Sequence, residues 1–179
     1  MSYVIRHGYP DDAVALANVH DLSWQAAYEG IIPKEEIQRQ GQLRLATWQK
    51  MLQDENMIVL LSEIEGVIAG FFVMTASKDH SEDEKVLELQ AFYFLQEYWS
   101  MGYAEHLIKF AINWAKKRKY KSVYCWVLQD NLRARRFYEK NGFYHDQNSK
   151  IITIGGVDLT EVRYWNSVRS GDNLWWRLI

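Results

Sequence analysis

A single mixed α/β domain is the fold class that the sequence predicts. A chain of 179 residues is most economically one domain and is long enough to bury a core. Apolar runs of strand length alternate along the chain with segments of helical periodicity, and no internal repeat, linker or low-complexity tract interrupts them. We therefore treat residues 1–179 as one unit, with an N-terminal region (residues 1–85), a central region (residues 86–143) and a closing region (residues 144–179).

The N-terminal region opens with a short strand and a helix. Tyr3-Val4-Ile5-Arg6 predicts the opening strand. Pro10-Asp11-Asp12 then supplies the fixed φ and the acidic first turn that are typical of a helix start. The helical pattern continues to Tyr28, and Gly30 and Pro33 end it.

A second helix and a hairpin follow. Residues 34–52 are amphipathic, and we expect a helix that is interrupted at Gly41. Residues 57–62 and 67–76 predict two strands. Glu65-Gly66 lies between them and is the turn signal of a two-stranded hairpin.

The central region predicts a strand, a helix, a strand and a helix. Residues 86–95 and 122–128 are the two strands. Between them, residues 104–118 repeat apolar side chains at helical spacing and end in a basic cluster that suits a helix C-terminus. Residues 131–140 form the last helix, and Asn141-Gly142 should end it with glycine in the left-handed position.

The closing region predicts a hairpin and a tail. Residues 151–154 and 160–165 should pair around Gly155-Gly156. The tail 170–179 contains Trp175-Trp176, which indicates either a loose end or an interface, such as that of a homodimer.

Composition argues against several classes of function. The net charge of −2 makes nucleic-acid binding an unexpected main task. Cys125 is the single cysteine and the five histidines are scattered, so no internal disulfide and no metal site are expected. No segment is suited to span a membrane, and a reducing cytoplasm is the expected location. The 8 Trp and 11 Tyr predict an aromatic core, with some rings lining a cleft.

A strand-to-helix turn and the last predicted helix carry the chemistry. The segment Trp99-Ser100-Met101-Gly102-Tyr103-Ala104 follows the strand 86–95 and opens the helix 104–118. Small residues in such a turn expose backbone N–H groups at the positive end of a helix, where a phosphate binds. Tyr138 is a candidate proton donor beside that site. These features predict an enzyme that holds a pyrophosphate-bearing cofactor and transfers a group from it.

The same two segments resemble the signature of the GNAT superfamily of N-acetyltransferases. The turn of that family is Gln/Arg-x-x-Gly-x-Gly/Ala. Gly102 and Ala104 match it, whereas Trp99 stands in place of the Gln or Arg. The second block of the family is Asn-x-x-Ala-x-x-Phe-Tyr-x-x-x-Gly-Phe, and this chain matches it at Asn131, Ala134, Phe137, Tyr138, Gly142 and Phe143. Two matching blocks in this order are a strong signal, densest over residues 88–143.

The resemblance implies a central, mostly antiparallel twisted sheet flanked by helices, with acetyl-CoA held where a pair of strands splays apart. The turn would bind the pyrophosphate through its amides, and the pantetheine arm would lie along the strand that precedes the turn. The residues that this prediction assigns to cofactor binding are Phe92, Tyr93, Phe94, Trp99, Ser100, Met101, Gly102, Tyr103, Ala104, Asn131, Ala134, Phe137 and Tyr138.

Two residues are predicted to be catalytic. Tyr138 resembles the general acid of the family, which gives a proton to the departing thiolate of coenzyme A. The alternative is an aromatic ring packed beneath the cofactor. Glu88 precedes Gly102 by 14 positions (102 minus 88), similar to the catalytic glutamate of some histone-modifying members. Its alternative is a strand residue that positions the substrate or pairs with a cation, with ordered water as the base, as in many members of the family.

The sequence says less about the residues that bind the acceptor amine. In the family, the first two helices and the late hairpin build the acceptor side, which makes Trp24, Tyr28, Glu88 and Tyr164 candidates, with core packing as the alternative for the aromatic ones. The resemblance implies transfer of acetyl from acetyl-CoA to a primary amine of a small molecule, by direct attack in a ternary complex. The alternatives are protein N-terminal or lysine acetylation, and a non-catalytic acyl-CoA-binding regulatory module.

Overall fold

Seven strands and four helices make up the fold in the computed structural model, which describes residues 2–80 and 85–168. The strands are Tyr3–His7 (β1), Ile58–Ile64 (β2), Val67–Ala76 (β3), Val86–Phe94 (β4), Ser122–Leu128 (β5), Tyr144–Ile154 (β6) and Val157–Ser167 (β7). The helices are Ala13–Tyr28 (α1), Lys34–Met51 (α2), Tyr103–Lys117 (α3) and Leu132–Lys140 (α4).

The strands form one sheet in the order β1-β2-β3-β4-β5-β7-β6. Neighbouring strands are antiparallel, except for β4 and β5, which are parallel. The parallel pair is connected through α3, as a crossover connection requires. The mixed α/β class and the mostly antiparallel sheet are therefore confirmed.

Helices cover both faces of this sheet. On one face, Leu107 of α3 and Tyr138 of α4 join the buried side chains of the strands. On the other face, Leu16 of α1 and Trp48 of α2 do the same. Because successive side chains of a strand point to opposite faces, two neighbours such as Phe71 and Phe72 belong to different core clusters. The chain thus builds two cores, and the sheet separates them.

Helix α2 runs through Gly41, so the predicted interruption is wrong. The helices α1 and α2 approach each other closely at this residue, where a β-carbon would lie 2.5 Å from Oδ1 of Asp21. Glycine weakens a helix because of its backbone entropy, but here it permits the close contact of two helices. The presence of Gly41 is therefore explained by the close packing of α1 and α2 rather than by a break in the helix.

The closing hairpin is longer than predicted. The strands β6 and β7 have eleven residues each, whereas the sequence predicts only 151–154 and 160–165. Most side chains of β6 are exposed, so the strand has little apolar alternation that the sequence could reveal. Gly155 and Gly156 occupy the turn with positive φ, as a tight hairpin requires. The tail 170–179, with Trp175-Trp176, lies outside the described residues.

Adding a side chain at Gly70 is expected to destabilise the sheet. Gly70 lies opposite Phe94, and a β-carbon there would come within 2.5 Å of the phenyl ring. We expect Gly70→Ala to lower the free energy of unfolding by about 1–3 kcal/mol, which is the usual cost of overpacking, and urea denaturation measures it. The double variant with Phe94→Leu should recover part of the loss. An unchanged urea midpoint for Gly70→Ala would contradict the close contact.

Candidate active site

The sheet opens between β4 and β5. The parallel pairing of these strands covers only Val86–Leu89 and Ser122–Cys125. Beyond it, β4 stays paired with β3 as far as Phe94, and β5 stays paired with β7 as far as Leu128. The edges that face each other therefore keep N–H and C=O groups that no described strand pairs. An extended ligand can bond to such edges as an additional strand.

A cleft of about 400 Å³ fills this opening. Its lining combines Phe92 and Cys125 from the α3 side of the sheet with Ala91 and Tyr93 from the α1 side, so the cleft passes through the sheet. The predicted site residues that line the cleft are Tyr28, Phe92, Tyr93, Phe94, Trp99, Ser100, Ala104, Asn131, Ala134, Phe137 and Tyr138. Met101, Gly102 and Tyr103 belong to the turn and do not line it.

The turn before α3 is built on left-handed backbone. Ser100 has a φ of 63°, and Gly102, the N-cap of α3, has a φ of 87°. The N–H groups of Tyr103 and Ala104 lie in the first turn of α3, where a helix offers no acceptor. The N–H of Trp99 is already bonded within the preceding 3-10 turn. The amides available to an anion therefore follow Trp99, at the positive end of α3.

Trp99 holds a cation at this turn. Its Nε1 donates to the backbone oxygen of Phe94 at 2.8 Å, which fixes the indole beside the cleft. The guanidinium carbon of Arg133 lies 3.5 Å from the centre of the indole ring, a cation–π contact. Arg133 lines the cleft, burial lowers its pKa, and it forms no ion pair within the described part of the chain. The tryptophan that replaces the Gln or Arg of the signature thus positions an arginine instead.

Three cations of α4 share the face that lines the cleft. Arg133, Arg136 and Lys140 are spaced by three and four residues, which places them on one side of a helix. Lys140 also pairs with Glu105 of α3, with 3.0 Å between Nζ and Oε1. Arg135 lies on another side, where its Nε donates to Oη of Tyr164 at 3.1 Å. The mouth of the cleft is therefore mainly positive, as a polyphosphate ligand requires.

Asn131 begins α4. Its Oδ1 accepts a hydrogen bond from the N–H of Ala134 at 3.0 Å, which makes it the N-cap. The side chain also lines the cleft and contacts the hydroxyl of Tyr28. The signature asparagine thus sets where α4 starts, and with it the places of Arg133 and Tyr138.

Tyr138 is buried where the strands separate. It is 7% exposed, and its hydroxyl contacts the thiol of Cys125. Burial raises the pKa of Tyr138 well above the ordinary value, and the nearby Cys125, Tyr93 and Tyr28 add to this. Burial also raises the pKa of Cys125. The phenol therefore stays a hydrogen-bond donor, and the thiol stays neutral and poorly nucleophilic.

Two tyrosines close the α1 side of the cleft. The hydroxyl oxygens of Tyr28 and Tyr93 lie 3.0 Å apart. Burial raises the pKa of both phenols, so both hydroxyls keep their protons. Ser23 adds a third hydroxyl to this wall. It is 1% exposed, and its Oγ has no hydrogen-bond partner among residues 2–80 and 85–168.

His20 packs behind this wall. Its ring centroid lies 5.0 Å from that of Tyr93 and 5.1 Å from that of Phe71. Burial lowers the pKa of His20 to about 3, and the charge of Arg44 contributes. The imidazole is therefore neutral in the folded protein at physiological pH.

Mild acid is expected to destabilise the protein through His20. Its pKa is about 6.5 in an unfolded chain and about 3 in the folded one, so the unfolded state binds the proton first as the pH falls. The contribution is complete above pH 6.5 and is lost between pH 6.5 and about 3. We expect the free energy of unfolding from urea denaturation to fall by about 2 kcal/mol between pH 7 and 5. In His20→Phe the free energy of unfolding should fall less over this pH range, by the contribution of His20. If the variant and the parent lost equal amounts, His20 would not be the group responsible.

Glu88 lies in the paired section of β4, outside the cleft lining. It is opposite Tyr124 of β5 and Thr75 of β3, one residue before Leu89, which does line the cleft. Burial raises the pKa of Tyr124 to about 12, and the charge of Glu88 contributes. The hydroxyl of Tyr124 in turn lies 3.1 Å from Oγ of Ser77. The structure thus places Glu88 beside a buried phenol near the cleft, and its catalytic role stays a prediction.

Two other residues that were predicted to contact the acceptor do not line the cleft. Trp24 packs against Tyr28, with ring centroids 5.2 Å apart, and does not itself line the cleft. Tyr164 is fully buried, and its hydroxyl donates to Oε1 of Glu139 at 2.6 Å. Tyr164 therefore contacts α4 in the core, on the side of the sheet away from α1.

Several lining residues were not predicted from the sequence: Ser23, Ala27, Leu89, Gln90, Ala91, Glu105, Cys125, Trp126, Val127 and Lys140. For Arg133 and Arg136, which also line the cleft, the sequence favours a solvent-facing helix charge and leaves contact with an adenosine phosphate as the alternative. The spacing of the three cations on α4 was a usable signal for one helix face. The strand residues carried no comparable signal, because nothing local in the sequence marks where β4 and β5 separate.

Two kinds of feature are not found in the described part of the chain. Residues 2–80 and 85–168 contain no group of three or more His, Cys, Asp or Glu side chains arranged to hold a metal ion. Within the same ranges, no helix has both the length and the apolar character that a membrane span needs.

The fold and the cleft together are suited to an extended, phosphate-bearing ligand between the splayed strands. The Acetyltransferase (GNAT) family matches residues 15–143 of the sequence. The chain belongs to this family, whose members are acetyltransferases that use acetyl-CoA.

One curated relative and several solved structures are similar to the chain. An uncharacterized N-acetyltransferase of Archaeoglobus fulgidus is 33% identical over 81 residues, which are 45% of this chain and 55% of that protein. The match thus spans about half the length of that relative.

The similar structures agree in fold. The PaiA N-acetyltransferase of Thermoplasma acidophilum, solved with coenzyme A, has a TM-score of 0.75 and 22% identity, over 93% of this chain and 99% of that one. The ribosomal-protein-S18-alanine N-acetyltransferase of Escherichia coli has a TM-score of 0.70 and 15% identity, over 97% and 99%.

Proposed function

We propose that this protein transfers acetyl from acetyl-CoA to a primary amine of a small molecule, by direct attack in a ternary complex. The observation that carries the proposal is the cleft that passes through the sheet between β4 and β5. Such a passage lets a donor enter from the α3 and α4 side while an acceptor enters from the α1 side. The membership in the acetyltransferase family supports the reaction type.

The residues at the α3 side fit coenzyme A. The first amides of α3 and the cations of α4 suit its phosphates, and the unpaired strand edges suit its amide-bearing pantetheine arm. When bound, acetyl-CoA supplies an activated acetyl thioester. Phe92, Tyr93 and Phe94 would hold the arm, and Asn131 would contact it from the start of α4.

Tyr138 is the proton donor in this proposal. As the acceptor nitrogen replaces the sulfur on the acetyl carbon, the Tyr138 hydroxyl would give its proton to the departing thiolate and would afterwards regain one from water. The raised pKa of Tyr138 keeps that proton in place beforehand. Direct attack is preferred over an acetyl-cysteine route because burial keeps Cys125, the cysteine in the lining, in its neutral form.

The acceptor amine must lose a proton before or during its attack. At the α1 end of the cleft, the described lining consists of hydroxyl, amide, apolar and aromatic side chains and includes no carboxylate. A water molecule would therefore have to carry the proton out of the cleft. Glu88, beside Tyr124, is our candidate for the group that receives it.

Two measurements test the proposal. Calorimetric titration with acetyl-CoA should show one binding site, and thiol release in the presence of acetyl-CoA should occur with one class within a panel of small amines. Release only with peptides that present a free N-terminal alanine or a lysine would replace the small acceptor with a protein. Binding without release for any amine or peptide would indicate a regulatory module, and no binding would overturn the proposal.

A further inference from the structure

In the described part of the chain, the acceptor side of the fold contains a cation without a bonded anion. Arg44 of α2 stacks on Trp24, with its guanidinium carbon 4.7 Å from the ring centre. Its Nε and Nη2 are shielded from solvent and have no hydrogen-bond partner among residues 2–80 and 85–168. A buried guanidinium is normally paired, because an unpaired buried charge is strongly unfavourable. Arg44 itself does not line the cleft, and among the described residues its charge is not compensated by a bonded anion.

The nearest acidic residue on α1 does not neutralise Arg44 by contact. The charge of Asp21 acts on Arg44, but no ion pair forms between them within the described residues. Oδ2 of Asp21 accepts instead from Nε2 of Gln25 at 2.9 Å. The guanidinium thus keeps unused hydrogen-bond donors.

The α1 side of the cleft, near which Arg44 acts through its charge, is lined by hydrogen-bond donors. Ser23 offers an unpartnered hydroxyl, and Tyr28 and Tyr93 share a hydroxyl pair in which one O–H remains free to donate outward. The charge of Arg44 acts on both tyrosines. Neutral hydroxyl donors with a guanidinium behind them are the groups that bind a carboxylate.

The charge of a carboxylate also acts on these tyrosines. Glu161 of β7 influences both Tyr28 and Tyr93 through its charge, and it is held by Lys150 with 3.3 Å between Oε2 and Nζ. The tyrosine pair is therefore influenced by a cation on α2 and by a carboxylate on β7. Opposite charges that act on one pair of hydroxyls match a ligand that carries both signs.

We propose that the acceptor is a zwitterionic amine with a carboxylate beside the amino group, as in an α-amino acid. The inference rests on the proposed function and names the acceptor class of that site. The carboxylate binds at the hydroxyls of Ser23, Tyr28 and Tyr93, whose surroundings include Arg44. The amino group lies toward the opening between β4 and β5. Trp126 and the tyrosine rings favour an aromatic or long apolar side chain.

Matched acceptor pairs test the inference. L-phenylalanine and phenethylamine, and L-tyrosine and tyramine, differ only in the carboxylate. We expect kcat/KM for the amino acid to exceed that for the decarboxylated amine by about tenfold or more, as one charge-assisted contact supplies. Equal values, or a preference for the amine, would overturn the inference.

Variants on α2 assign the preference to Arg44. Arg44→Met conserves volume and removes the charge, and it should reduce the preference to about threefold or less. Arg44→Lys keeps the charge and should retain a larger part of the preference for the amino acid. Lys50→Met removes an exposed cation of the same helix and should leave the preference unchanged. A preference that persists in Arg44→Met would overturn the role of Arg44.

A binding measurement separates this inference from the proposed function. The same pairs are titrated by calorimetry into the protein loaded with coenzyme A, where no transfer takes place. Tighter binding of the amino acid, lost in Arg44→Met, supports the zwitterion site even when no amine in the panel is acetylated. Equal binding within a pair overturns it. Transfer only to a peptide overturns the small acceptor of the proposed function, whatever the pairs show.

Discussion

Tyr138→Phe is expected to lower kcat about 100-fold while the affinity for acetyl-CoA changes by about twofold or less. The substitution removes one hydroxyl and leaves the ring that packs among Phe137, Phe143 and Tyr164. The departing thiolate then has no phenol to protonate it, whereas the groups that bind the phosphates are unchanged. Steady-state kinetics and calorimetric titration measure the two quantities on the same preparation.

Tyr144→Phe is the matched control for this prediction, because it removes the hydroxyl of an exposed tyrosine. Its kcat should equal that of the parent protein. The pKa of Tyr138 is raised well above 10, so kcat of the parent should show no alkaline loss from this group up to pH 10. A Tyr138→Phe variant with unchanged kcat would leave Tyr138 as a packing residue beneath the cofactor.

Arg133→Ala is expected to weaken the binding of acetyl-CoA by about 10- to 100-fold, as the loss of a charge-assisted contact to phosphate predicts. Arg133 lines the cleft, has no ion-pair partner in the described part of the chain, and is held on Trp99 near the α3 amides. Trp99→Leu should weaken binding less, because the cation remains but loses its support. Titrations at low and high salt should show a weaker salt dependence in Arg133→Ala than in the parent.

Arg118→Ala is the control for the loss of a stacked cation. Arg118 lies 3.9 Å from the ring centre of Trp114, at the C-terminal end of α3 and outside the cleft lining. The affinity for acetyl-CoA should therefore be unchanged. If Arg133→Ala and Arg118→Ala bound acetyl-CoA equally well, Arg133 would have no specific contact with the phosphates.

Local signals in the sequence predict much of the fold. The strands 67–76 and 122–128 are predicted to the residue, because each is an apolar run with a turn signal at its ends. The prediction fails where packing overrides propensity. Gly41 remains helical because α1 passes close to it, and β6 is missed over 144–150 because its exposed side chains carry no alternation.

The sequence by itself determined the turn, the cap and the phenol of the candidate site. The backbone at Gly102 needs a positive φ, Asn131 caps α4, and Tyr138 follows on that helix at a set spacing. Each of these features depends on residues a few positions apart. Patterns that involve residues a few positions apart can be recognised directly in the sequence.

Only the tertiary structure decided which distant groups meet. The hydroxyls of Tyr28 and Tyr93 bond across 65 positions, and Arg133 of α4 contacts Trp99 in the turn before α3. Arg44 stacks on Trp24 without a bonded anion among the described residues. These contacts follow from the strand order, the opening between β4 and β5 and the approach of α1 to α2. Local propensity carries no information about such long-range contacts, because it is the burial of two cores against one sheet that sets them.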